Sequence, residues 1–238
     1  SSDLEVVPRF LDSGNATAVE IGCNDGILLK PIADHGVHTV IGVDPATNIV
    51  NTINDSRITI INDFFSSRLA RHIREVHGAA QLIVANNVYA HIPDINDVTA
   101  GIADLLDTDG VFVFEAHYLG SGVNGLQYDM IYHEHLYYYS LCALENHFAR
   151  HGLAIFDLKK IPIHGGSIRY YVCRANDPRT SSPTGRLLQL REEEKLRGYH
   201  RIETFRHFAQ TIADRKSTLM QFLDRARDAG RSVAGYGA

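Results

Sequence analysis

The sequence predicts an α/β fold built on a seven-stranded sheet, five parallel strands plus a terminal antiparallel hairpin, followed by a long helical segment. Three observations carry this reading. Short β-branched runs alternate with stretches of helical length through the first half, the rhythm of parallel strands joined by crossover helices. Runs such as "LIVA" and "VFVF" are apolar without interruption, which fits strands covered on both faces. The alternation then stops, two strand-like runs follow one another directly, and a helical pattern takes over.

In order, the parallel strands are "TAVEIGC", "HTVIGVDP", "ITIINDFF", "AQLIVANN" and "GVFVFEAHY". After the fifth, the rhythm breaks over residues 119–139, and the break contains most of "YDMIYHEHLYYYSL". Ser140 reads as the N-cap of a helix with Leu141, Leu144 and Phe148 at helical spacing and Gly152 at its end. "LAIFDLKKIPI" and "SIRYYVCR", joined at "HGG", form the hairpin. From Thr184 to Ala229 the pattern is helical, with an apolar stripe of Leu187, Leu190, Leu196, Tyr199, Ile202, Phe205 and Phe208 and a break near Gly198. "GRSVAGYGA" reads as a new strand running into a glycine turn.

The 238 residues, 45% hydrophobic and 21% charged, suffice for one large domain with some remainder. A net charge of -5 with scattered basic residues gives no electrostatic footprint for nucleic acid or an acidic membrane surface. Neither a membrane span nor a signal peptide is expected, since no apolar run is long enough and the amino terminus lacks a basic segment followed by an apolar one. The default compartment is the cytoplasm. Cys23, Cys142 and Cys173 lie far apart, without a C-x-x-C pair, and read as buried apolar side chains rather than a disulfide framework or zinc site.

The first strand ends in "VEIGCNDG", with Glu20, Gly22 and Gly26, and the second ends in Asp44. Ligands bind open α/β sheets at the carboxyl ends of the strands, where glycine admits them, and an acid after the second strand suits a ribose. A dinucleotide fingerprint wants glycine where this chain has Asn24, which disfavours a pyrophosphate and a nicotinamide dehydrogenase. S-adenosylmethionine carries an adenosine without phosphates and tolerates the acids nearby. Asp63 and Phe64 offer an acceptor for the adenine amino group and a face to stack on. Asn86, with Asn87 after it, stands where the methionine end or the reacting centre would lie, and His91 follows one turn later.

"EIGCNDG", "NNVYAHIPD", "YHEH" before "YSL", "HGGSIRYY" and the closing "GYGA" together resemble the S-adenosylmethionine-dependent sugar C-methyltransferases. The resemblance implies a class I methyltransferase, Rossmann-like fold and methylation at C3 of a nucleotide-linked 4-keto-deoxysugar. It also implies three parts: an N-terminal cysteine-rich zinc module, a central methyltransferase domain and a C-terminal Rossmann-like domain that helps hold the nucleotide sugar. Without cysteine pairs before "VEIGC", the zinc module is not expected in this chain. The division that follows is an S-adenosylmethionine-binding domain over 1–178, a helical linker over 179–230 and the start of the further domain over 231–238.

Carried onto this sequence, the acid–base candidates are His91, Tyr132, Glu134 and His135, with His135 as the base; His164, Gly165 and Ser167 of the "HGGS" element are assigned to the substrate. The chemistry agrees, because a carbon next to a ketone must lose a proton before it attacks an electrophilic methyl group. Histidine, with a reference pKa of about 6.5, can take that proton near neutral pH. Tyr132 or His91 can donate to the enolate or position the sugar, and Glu134 can orient a histidine or bind a hydroxyl. Two other readings stay open. His133 and His135, with Glu134 and His91, could make a set of metal ligands, although the spacing is not that of a helical zinc motif. A non-catalytic adenosyl-binding module is the other.

Overall fold

The computed structural model describes residues 5–11 and 14–236. Among them, seven strands form one sheet: β1 (Gly14–Ile21), β2 (Val37–Val43), β3 (Ile58–Ile61), β4 (Ala80–Asn86), β5 (Leu106–His117), β6 (Leu153–Ile161) and β7 (Ser167–Arg174). Their order is 3-2-1-4-5-7-6. The first five pair in parallel, and β7 inserts antiparallel between β5 and β6. The predicted sheet, hairpin included, is the one observed.

The helices are α1 (Val6–Phe10), α2 (Leu29–Asp34), α3 (Thr47–Val50), α4 (Ser67–His77), α5 (Ile95–Leu105), α6 (Leu119–Gly125), α7 (Leu141–Ala149), α8 (Gly185–Arg197) and α9 (Ile202–Asp228). Alternation along the strands decides which helices each face receives. Val19, Ile21, Ile41 and Val43 share a buried cluster with Leu69 and Ile73 of α4, Ile102 of α5 and Phe148 of α7. Their strand neighbours Ala18, Val40, Leu82 and Val84 cluster with Val6 and Val7 of α1 and Leu29 and Ile32 of α2. Ser140 caps α7 as expected, accepting from the Ala143 amide at 3.3 Å, and Gly152 adopts a left-handed φ of +68° just beyond it.

Buried charges lock the far side of the sheet. Arg169 on β7 lies opposite Glu115 on β5 in the ladder, and its Nε donates to the Glu115 carboxylate at 2.6 Å. Asp157 on β6, fully buried, accepts from Arg9 at 2.6 Å, Thr184 at 2.6 Å and Arg186 Nε at 2.6 Å, so one carboxylate ties α1 and α8 to the edge strand. Those donors hold the Asp157 carboxyl down at about 2, against burial that would raise it. Glu194 on α8 is also buried. It accepts from the backbone amides of Leu141 at 2.6 Å and Cys142 at 2.9 Å and from the Tyr118 hydroxyl at 2.9 Å.

Two features differ from the sequence reading. Of the apolar stripe of the helical segment, only Leu187, Leu190 and Tyr199 are buried. Leu187 and Leu190 are covered, but Leu196 is 85% exposed and no residue of α9 is buried. Gly198, with φ +70°, ends α8 and turns the chain so that the period continues without a surface to pack on. Residues 231–236, expected to begin a strand, form neither helix nor strand, because no neighbouring strand is there to take their backbone hydrogen bonds. Ala238 lies outside the described residues. Among those residues no helix is long and apolar enough to cross a membrane.

His147 of α7 is 8% exposed, and its Nε2 lies 2.7 Å from the Thr99 hydroxyl and 3.2 Å from the Tyr89 hydroxyl. Burial holds its pKa down to about 4. Since the unfolded chain takes up this proton near pH 6.5 and the folded chain does not until about pH 4, stability is expected to fall as pH drops through that window. Urea midpoints for the wild type and His147→Asn between pH 7.5 and 4.5 check this. The variant should start lower and show a shallower decline, whereas equal slopes would show that His147 does not supply the pH dependence.

Candidate active site

The chain runs outward from β1 through β2 to β3, then crosses back to β4, so the strand order reverses between β1 and β4. At that point the carboxyl ends of the strands open a cleft of about 510 Å³. Gly22, Asn24, Asp44, Asp63, Phe64, Asn86 and His91 all line it. Gly22 has φ +72°, and a Cβ added there would be driven into the Val88 side chain. Asp44 holds the cleft's shape through its two oxygens. One accepts from the Asn24 amide at 3.0 Å and the other from the Ala46 amide at 2.8 Å, which fixes Asn24 in a left-handed turn at φ +49°.

A carboxylate so bonded keeps lone pairs for a ligand. The Phe64 ring is 73% exposed at the cleft, and Asp63 accepts from the Phe64 amide at 2.8 Å. The Asn86 side-chain carbonyl is buried there without a hydrogen-bond partner. An exposed ring, free carboxylate lone pairs and a buried unsatisfied amide are what an adenosine bearing a polar tail requires. Glu20 and Gly26 do not line the cleft. Glu20 is buried at the end of β1, and Gly26, at φ +74° with Ile53 pressed against it, serves the turn.

Beside the cleft lies a cluster of imidazoles. His91 sits in a short 3-10 turn, Tyr89–His91, and its Nδ1 donates to the Glu134 carbonyl at 2.7 Å. The Leu136 amide donates back to the Ala90 carbonyl at 3.0 Å, so the "YHEH" segment is stitched onto the end of β4. The rings of His91 and His135 are 4.8 Å apart between centroids. Tyr132 lies 4.6 Å from His135 on the same measure, with its hydroxyl 3.3 Å from His135 Nε2. His133 and Glu134 are exposed. Glu134 acts on His135 through its charge alone, in the direction that raises its pKa. Tyr137, Tyr138 and Tyr139 spend their hydroxyls on the carbonyls of Pro93, Met130 and Tyr89, holding the segment in place.

Burial lowers the His135 pKa below its usual value, and the neighbouring His91, His117 and His164 reinforce that shift. His164, Gly165 and Gly166 form a turn of three left-handed residues, at φ +48°, +73° and +120°. A Cβ on Gly165 would meet Gln127 and one on Gly166 would meet Ser121, so the turn sits close against the segment over the site. The Ser167 hydroxyl is tied to this turn, donating to the Ile163 carbonyl at 3.3 Å. Sequence reasoning missed His117, which ends β5 directly opposite Ser167 in the ladder and is 8% exposed. The available signal was a polar ring three positions beyond the apolar run "VFVF", at the carboxyl end of a strand. Among the described residues, no group of three or more His, Cys, Asp or Glu is arranged to hold a metal ion.

Residues 4–158 match the family described as "Methyltransferase domain". The chain belongs to this family. Residues 162–238 match a second, "C-methyltransferase C-terminal domain". "C-methyltransferase NovU" of Streptomyces niveus is 34% identical over 220 residues, which are 92% of this chain and 52% of that protein. The chain therefore spans about half the length of this curated relative. Solved methyltransferases share the fold. The S-adenosylmethionine-dependent methyltransferase of Mesorhizobium loti has a TM-score of 0.56 at 14% identity, over 73% of this chain and 98% of its own. Magnesium protoporphyrin IX methyltransferase (ChlM) of Synechocystis PCC 6803, with bound SAH, has 0.55 at 15%, over 73% and 82%. The family membership sets aside the dehydrogenase reading.

Gly22→Ala tests whether the cleft needs a residue without a side chain at that position. It is expected to cost about 1–3 kcal/mol of stability from the strained φ and the crowded Val88. It should also abolish the thermal upshift given by S-adenosylhomocysteine. An upshift equal to that of the wild type would place ligand binding away from Gly22.

Proposed function

We propose that this chain is the S-adenosylmethionine-binding, proton-abstracting part of a C-methyltransferase acting at C3 of a nucleotide-linked 4-keto-deoxysugar in the cytoplasm. The supporting observation is the adjacency of His135 to His91, 4.8 Å between rings, because His91 lines the cleft that suits an adenosine. The 34% identity to "C-methyltransferase NovU" and the match to the C-methyltransferase C-terminal domain favour carbon as the atom methylated. On this reading residues 1–178 form the cofactor-binding domain, 179–230 a helical linker and 231–238 the beginning of a further domain.

Asp44 would hold the ribose, Asp63 and Phe64 the adenine, and Asn86 the methionine end. Bound S-adenosylmethionine supplies an electrophilic methyl group. The lowered pKa leaves His135 neutral near pH 7, with a lone pair for the proton next to the ketone. Tyr132, 3.3 Å from His135 Nε2, stands where a hydroxyl can donate to the oxygen that gains charge as that proton leaves. His164, near enough to act on His135, would with Gly165 and Ser167 position the sugar, although Ser167 lines a neighbouring pocket and not the cleft itself.

Two experiments test this. Calorimetry with S-adenosylhomocysteine should show Asp44→Ala weakened by about 1–3 kcal/mol; equal affinity would remove Asp44 from the site. In the full-length protein, a 4-keto sugar nucleotide in heavy water with S-adenosylhomocysteine present should exchange the proton next to its ketone. His135→Asn should slow that exchange by about two to four orders of magnitude while cofactor binding survives. Exchange at the wild-type rate in the variant would move the base to His91 or Tyr132.

A further inference from the structure

Buried polar atoms that lack hydrogen bonds are few in a native fold, and each costs free energy until it finds a partner. Here several of them converge beside the histidine cluster. Neither ring nitrogen of His117 makes a hydrogen bond of good geometry, and the same holds for Gln127 Oε1 and His135 Nδ1. These atoms come from three separate segments. Gln127 stands close enough to His117 to pull its pKa upward, and His117 is among the charges that depress His135. The Gly165 backbone closes on Gln127, and Gly122 lies over the edge of the His117 ring.

Donor and acceptor roles around this spot admit one consistent chain. Gln127 Nε2 donates to the Gly165 carbonyl at 3.1 Å, which leaves its Oε1 as a pure acceptor. A neutral His117 can donate one N–H to that oxygen and offer its other nitrogen as an acceptor. His135 Nδ1 is likewise buried without a partner, and His117 is near enough to act on the charge of that ring. A hydrogen on His135 Nδ1 leaves the lone pair on Nε2, the nitrogen 3.3 Å from the Tyr132 hydroxyl.

We propose that His117 is a positioning residue for His135, linked through Gln127 to the Gly165 carbonyl in a chain that fixes His135 in the Nδ1–H tautomer. The two inner links form by a small side-chain shift or through one bridging water. The orienting partner of the base is thus a second imidazole and not the exposed Glu134. The inference rests on His135 being the proton acceptor, but the tautomer itself can be measured without substrate.

Nitrogen-edited NMR of the imidazoles at pH 7.5 should show His135 as the Nδ1–H form in the wild type and as a mixture of tautomers in His117→Phe. His117→Gln keeps an acceptor facing Nδ1 and should restore the single form. In the deuterium-exchange reaction, His117→Phe should lower kcat by about ten- to a hundredfold, the usual cost of losing an orienting partner. KM and the affinity for S-adenosylhomocysteine should be unchanged. If His117→Phe does not fold, Gln127→Leu carries the same test, with a smaller shift in the same direction. A His135 tautomer identical to wild type in the folded variants overturns the proposal. Absence of exchange in the wild type would instead overturn the proposed function and leave the tautomer result standing.

Discussion

The carboxylate of Glu194 is the constraint on which the site depends. A charge 3% exposed has lost its hydration and persists only where donors replace it. Here the replacements are the first amides of α7 and the hydroxyl of Tyr118, so the carboxylate also sits where the helix dipole favours a negative charge. Tyr118 and Leu141 are the two ends of the segment that carries "YHEH". One side chain, from a helix more than fifty positions further along the chain, therefore pins both ends of the loop that brings Tyr132 and His135 to the cleft. The residues matching the C-methyltransferase C-terminal domain thus reach into the core of the methyltransferase domain.

Between those anchors, burial and neighbouring charge act together on His117 and His135. His91, His117, His135 and His164 come from four different segments, and the latter three crowd one another electrostatically while burial removes water from two of them. A proton on one of these rings makes protonation of the next harder. The cleft works on another principle: its shape comes from backbone, from the left-handed turns at Gly22 and Asn24 and the two amides held by Asp44. Rigid backbone thus shapes the cleft, and coupled side chains set the charge beside it.

Much of this was legible in the sequence because it follows from local rules. The strands announce themselves by uninterrupted apolar runs, and Ser140, Gly152 and Gly198 mark helix ends through capping chemistry that a few neighbouring residues determine. The cleft was legible for the same reason, since Gly22, Asn24 and Asp44 follow strands whose carboxyl ends must converge. Residues whose roles depend on tertiary neighbours were not. His117 gains its meaning from a cross-strand partner in β7 and from Gln127, both distant in sequence. Leu196 and Ile202 keep the helical period of a buried face, but period reports only that residues share a face, not that anything covers it. The strand expected in residues 231–236 fails similarly, because strand propensity counts for little without a partner edge.

The placement of β7 bears on how the chain reaches this state. β6 is made before β7 yet has β7 as its sole neighbour in the sheet, while β5 can be completed on that side only by β7. Until residue 174 has been synthesised, β6 has no edge to join and β5 stays open along its outer side. The tight turn at 164–166 makes hairpin formation a local event, on the order of microseconds for such elements. Arg169 comes opposite Glu115 only once β7 has paired with β5. The end of β5, where His117 stands opposite Ser167, is thus completed late, at the step that also covers the open edge of β5.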